Sequence, residues 1–224
     1  MLKVKYTVFR WKLNEDLPLS YGRKLRGFFA NKFEDVLFHH HKKNGQYRYA
    51  YPLIQYKIAE GEPVTIGLKR GAELLLRSFL EVDKLKLGDT KYDDLKRELT
   101  IKDKQISIED DLIYEYKFLT PWLGLNQQNY KCYVDKIQDQ TFYQRQDFLS
   151  QILIGNILAF AKGIDWWIED EVKVISKLEE KEVKFKDQLM VGFEGKIKTN
   201  VCLPDYIGLG KATARGFGAL KKNS

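Results

Sequence analysis

Residues 2 to 12, LKVKYTVFRWK, alternate apolar and polar side chains with a period of two, which predicts a strand with one buried face. Leu17-Pro18-Leu19-Ser20 ends it. Ser20 is placed to cap a helix over 20–37, in which Leu25, Phe28, Phe29, Phe33, Val36 and Leu37 recur at spacings of three and four. The chain then leaves through FHHHKKNG, where Asn44-Gly45 marks a turn, into a second strand, QYRYAYPLIQYKI. Glu60-Gly61-Glu62-Pro63 turns it into a third, VTIGL. GAELLLRSFL at 71–80 has the period of a second helix, and further strands are expected over 81–88 and 97–108.

The order β-α-β-β-α-β is the ferredoxin-like unit, two helices packed on one face of an antiparallel sheet. A second round begins at DLIYEYKFLTPW and runs into a helix over about 141–161 that carries Phe142, Phe148, Leu149, Ile152, Leu153, Ile157, Leu158 and Phe160. Strand-like EVKVISKL and VKFKDQLMVGFEGKIKTNV follow, and LPDYIGLG can supply only a short second helix. The expected fold class is α+β: two tandem ferredoxin-like, RRM-like units packed side by side, the second incomplete. Residues 1–110 form the N-terminal domain and 111–224 the C-terminal one, with no Ser/Gly linker between them.

Composition narrows the class. With 44% hydrophobic and 31% charged residues the 224-residue chain falls in the range of folded soluble proteins, which excludes disordered and collagen-like structure. Cys132 and Cys202 are too few for a disulfide framework, and no apolar leader follows Met1. The longest apolar stretch, ILIGNILAFA at 152–161, is about half of what a membrane span requires. A cytoplasmic protein without membrane contact is expected.

The formal charge is +7, unevenly spread. Residues 1–60 carry twelve Lys and Arg against five Asp and Glu; residues 195–224 carry six against one. The stretch between is net −5, so the basic ends form one electropositive surface if they meet in space.

The most specific local signal is GLGKATARGFG, in which Gly208, Gly210, Gly216 and Gly218 enclose Lys211 and Arg215. Glycine permits positive φ and close backbone approach, so such a loop can aim amides at phosphates or admit a nucleic-acid backbone. It is not a P-loop, because Ala212 stands where Ser or Thr would hold magnesium, and Thr213 replaces the third glycine of the dinucleotide fingerprint. A glycine-rich hairpin into a final strand is the plainer alternative.

All three histidines are consecutive: His39, His40 and His41. Imidazole accepts and donates protons near neutrality, so such a cluster can supply a general base and a general acid. Neighbours in one short run seldom converge on a single metal ion, so no metal and no other cofactor is expected. A solvated polar helix end would give the same cluster.

The four glycines resemble the G-φ-G-x5-G-φ-G signature of the repeat-associated RNA-binding superfamily of CRISPR systems. The chain further resembles the CRISPR repeat-processing endoribonucleases, the sixth Cas family. LRGFF, FHHH, YRYAYPLIQYK and LIGNILAFAKGI are similar to its methanogen and clostridial branch. The resemblance implies two tandem ferredoxin-like folds and a His-x-His pair at the first helix exit, which maps onto His39 and His41 with His40 between them. It implies a tyrosine and a lysine beside the histidine, for which Tyr47 and Lys57 are the nearest candidates. Tyr47, Tyr49, Tyr51, Gln55 and Lys57 share one face of the expected strand.

The implied activity is cleavage of precursor CRISPR RNA within each repeat, by metal-independent transesterification to 2′,3′-cyclic phosphate and 5′-hydroxyl ends. The alternative is a non-catalytic subunit of the same superfamily that holds a guide RNA in an effector complex. The implied partners are single-stranded or hairpin repeat RNA and a CRISPR effector complex, the protein acting as monomer or homodimer. RNA contacts are expected from the glycine loop, and the helix face of Arg23, Lys24 and Arg26 suits RNA or solvent equally.

Overall fold

In the computed structural model, which describes residues 1–38, 50–93, 95–185 and 188–223, β1 (Leu2–Lys12) lies inside a sheet covered on both faces. Phe9 and Trp11 pack with Leu25 and Phe29 of α1 (Tyr21–Lys32) and Leu75 of α2 (Arg70–Glu81), while Val4 and Tyr6 on the other face join the core of the second domain. Each such fully buried side chain contributes about 1.5–3 kcal/mol relative to exposure.

With β2 (Ile54–Ala59), β3 (Glu62–Leu68) and β6 (Lys96–Ile106), β1 forms an antiparallel sheet in the order β2-β3-β1-β6. A small hairpin of β4 (Leu85–Leu87) and β5 (Thr90–Tyr92) precedes β6, so only three residues of the expected 81–88 strand are extended. The second domain repeats the order as β10-β7-β9-β8, built from β7 (Tyr114–Phe118), β8 (Val174–Phe185), β9 (Gln188–Thr199) and β10 (Leu220–Lys222). α3 (Gln127–Cys132) runs into a π-helical turn over Tyr133–Ile137, and α4 (Phe142–Gly163) packs Leu149, Leu153, Ile157 and Phe160 into the shared core. Thr141 and Gln144 close the start of α4 as a reciprocal cap. This is the tandem ferredoxin-like architecture. No helix among the described residues is long and apolar enough to cross a membrane.

Several expectations are corrected. α1 stops at Lys32 rather than 37, because Asp35 accepts the Leu37 amide through its side chain at 2.9 Å and the Phe38 amide through its carbonyl at 3.0 Å, a turn that competes with helix. Phe33 and Phe38 still stack on Phe29. The Ser20 hydroxyl accepts no helix amide; Pro18, Leu19 and Ser20 instead offer carbonyls to the Tyr21, Gly22 and Arg23 amides in a tight lead-in turn. LPDYIGLG is not helical, since Tyr206 takes φ +61° and Gly208 pairs with Ala219 as a bridge. The second unit thus has no second α-helix between β9 and β10, only the tight turn Thr213–Arg215.

Candidate nucleic-acid interface

The glycine loop is closed at its base and pinned along its length. Leu209 donates to the Gly218 carbonyl at 3.0 Å, Gly218 to Pro121 at 2.9 Å and Lys211 to Leu123 at 2.8 Å. Gly210, Gly216 and Gly218 take positive φ, whereas Gly208 is required for space: a Cβ there would stand 2.7 Å from Lys57 Nζ and 2.8 Å from the Phe217 carbonyl oxygen. Between them Thr213–Arg215 makes one tight helical turn, with Thr213 and Ala214 buried and the Arg215 side chain half-buried.

The loop rests on β2 and the residues just before it. The Tyr51 hydroxyl donates to the Gly208 carbonyl at 2.9 Å, and the Gly208 amide donates to Gln55 Oε1 at 2.8 Å. Lys57 Nζ donates to the Thr213 carbonyl at 2.7 Å and the Phe217 carbonyl at 3.3 Å. Of the odd-numbered residues expected on one face, Tyr51, Gln55 and Lys57 all meet the loop, and Tyr47 and Tyr49 lie outside the described residues. Lys57, expected beside the scissile phosphate, is fully buried, and its amine is taken up by two backbone carbonyls. Burial holds its ammonium well below the ordinary lysine value.

A cleft of about 470 Å³ opens between the start of α1, the end of β8 and the loop, lined by Arg23, Lys24, Lys181, Lys184 and Arg215 with the rings of Tyr21, Phe185 and Phe217. Glu182 is the one carboxylate among its described lining residues. Lys24 Nζ lies 3.6 Å above the Tyr21 ring, and the Arg215 guanidinium lies over Phe185 at 5.8 Å. A second hollow of about 530 Å³, lined by Ala50, Tyr51, Met190 and residues 210–215, shares Phe185 and Arg215 with the first.

The two basic ends of the chain therefore meet here. Among the described residues none of Arg23, Lys24, Arg26, Lys211 and Arg215 has a carboxylate within ion-pair distance, whereas Lys3, Lys5, Lys12 and Lys196 are all so paired. Burial first, and then the nearby Arg215 charge, lowers the Arg26 guanidinium from its ordinary value; burial alone lowers Lys211. Like charges held close without counterions form a site for an anion.

His39, His40, His41 and Tyr47 lie outside the described residues. Their flanks are placed: Phe38 is buried against Phe29 and Phe33, and Ala50 and Tyr51 line the second hollow. Sequence reasoning missed Lys181 and Lys184, which come from the acidic middle of the chain. A Lys-rich alternating strand carries no signal of which surface its tip approaches.

The two sheets of matching strand order define a tandem ferredoxin-like protein. The family model of the Cas6b N-terminal domain matches residues 2–105, and that of the Cas6b C-terminal domain matches 108–223. The chain belongs to the Cas6b family. A solved structure of Cas6b superposes with a TM-score of 0.89 at 33% identity, covering 99% of this chain and 100% of that one. Another, described as the CRISPR RNA processing endoribonuclease Cas6b, gives 0.77 at 32% identity over 99% and 100%. An uncharacterized protein of Methanocaldococcus jannaschii is 30% identical over 143 residues, 63% of this chain and 94% of its own length.

Proposed function

We propose that the protein cuts precursor CRISPR RNA within each repeat by attack of a 2′-hydroxyl on the adjacent phosphate, without a metal ion, leaving a 2′,3′-cyclic phosphate and a 5′-hydroxyl. The observation that carries this reading is the convergence of Arg23, Lys24 and Arg215, from opposite ends of the chain, on one cleft in a Cas6b fold. A phosphate backbone supplies the charge that these cations lack.

In this reading His39 and His41 between them supply the acid and the base, with His40 in reserve and Tyr47 beside the reacting phosphate. His39 follows directly on Phe38, which is buried against Phe29 and Phe33, and Tyr51, ten residues beyond His41, is anchored to Gly208. Lys211, Arg215, Arg23, Lys24 and Arg26 hold phosphates, and the loop backbone at Gly208, Gly210, Gly216 and Gly218 fixes where Lys211 and Arg215 stand. The substrate is repeat RNA, single-stranded or hairpin, and the cut guide is passed to an effector complex in the cytoplasm.

The test uses the repeat RNA of the protein's own locus and a copy with a single 2′-deoxy nucleotide at the cut site. Cleavage of the first and not the second supports transesterification. Binding of both with cleavage of neither supports the guide-holding scaffold instead.

A further inference from the structure

We propose that Lys57 is a positioning residue for RNA binding: from inside the domain junction it holds the backbone on both sides of Arg215, so that this guanidinium is presented to the cleft. The proposal rests on reading the glycine loop as an RNA-binding element.

The two carbonyls that Lys57 engages belong to Thr213 and Phe217, two residues before and two residues after Arg215. The backbone that carries Arg215 cannot rotate without breaking one of those bonds. On its other side the same stretch is backed by α1, where a Cβ at Gly22 would meet the Arg215 carbonyl oxygen at 3.0 Å. Thr213 and Ala214 are buried, and the side chain between these two supports emerges into the cleft above Phe185.

Lysine is an unusual choice for a fully buried strand position, because its charged form is costly to desolvate and its stem loses rotamer freedom. Among the described residues no carboxylate pairs with it. What the position requires is a donor at the end of a long arm that reaches two carbonyls of the other domain. Burial lowers the affinity of its amine for its proton, and the amine has the two N–H groups that the two acceptors need in either charge state. Gln55 and Tyr51 fix the start of the loop in the same way, at Gly208.

The test is a double-mutant cycle on the full protein, with affinity for an uncleavable 2′-deoxy repeat RNA measured for wild type, Lys57→Met, Arg215→Ala and the double variant. Lys57→Met is expected to weaken binding about tenfold, as loss of a buried anchor does. If Lys57 acts through Arg215, the double variant binds about as weakly as Arg215→Ala alone, rather than by the product of the two effects. Single-turnover cleavage at saturating protein stays within about threefold of wild type, since a positioning residue for binding spares the chemical step. Additive losses, or unchanged affinity in Lys57→Met, overturn the proposal. Unchanged affinity in Arg215→Ala overturns the reading of the loop instead. If Lys57→Met does not fold by thermal denaturation, Lys57→Gln, which keeps a donor on a shorter arm, takes its place in the cycle; if neither folds, Lys57 serves stability only and the proposal falls.

Discussion

Gly22 at the start of α1 lies against the backbone of Arg215, so closely that a Cβ at Gly22 would stand 3.0 Å from the Arg215 carbonyl oxygen and 3.4 Å from Gly216 Cα. This contact brings the cations of the first helix beside the loop near the C-terminus. Gly22→Val would push the two apart, because the neighbouring atoms are backbone and cannot rotate away. Overpacking of this kind costs about 1–3 kcal/mol. The expected result is a lower unfolding midpoint together with weaker repeat-RNA binding; wild-type values of both would show that the contact does not set the cleft.

The cations of the cleft should report themselves through salt. Each phosphate contact adds roughly 0.7 to 0.9 to the slope of log affinity against log salt. Arg215→Ala and Lys211→Ala are each expected to lower that slope by about one contact, as is Arg23→Ala on the facing helix. Lys3→Ala, whose lysine is paired with Asp103 at 3.2 Å, should leave it unchanged. Filter binding from low to moderate salt checks this, and equal slopes in all four variants would mean that the RNA lies elsewhere.

The buried lysine also makes a prediction about pH. Burial holds Lys57 in the folded protein well below its ordinary value, whereas in the unfolded chain it titrates near the usual value of about 10.4. Between those two values the unfolded state binds the extra proton and the folded state does not. Stability from this group therefore rises with pH across that window and falls as pH drops toward the folded value. Urea unfolding of wild type and Lys57→Met should give a stability difference that moves in favour of wild type from about pH 7 to about pH 10. A difference that is flat with pH would mean that Lys57 keeps its ordinary proton in the fold.

The alternation of β1 and the period of α4 were legible because each reflects one local geometry, and the strand–helix order then implied both sheets. β2 was harder. Every residue of Ile54–Ala59 is buried, so the polarity of Gln55 and Lys57 does not mark solvent or a cleft; it marks the glycine loop, which reaches them from more than 150 residues away. The four glycines identified that loop in isolation, but nothing in their spacing names the strand they rest on. The meeting of the basic ends could be anticipated from charge, whereas Lys181 and Lys184 were concealed in a stretch whose net charge is negative. The end of α1 was misplaced because Phe33, Val36 and Leu37 keep helical spacing while Asp35 diverts the backbone.

The most direct test of the central claim is to incubate the purified protein with the repeat RNA of its own locus in excess EDTA and map the product ends, beside a His39→Ala/His41→Ala double variant. A single cut ending in a 2′,3′-cyclic phosphate, made by the wild type and lost in a variant that still binds the RNA, is the predicted result. Salt-sensitive binding without any cut by the wild type, or an undiminished cut by the double variant, would contradict it.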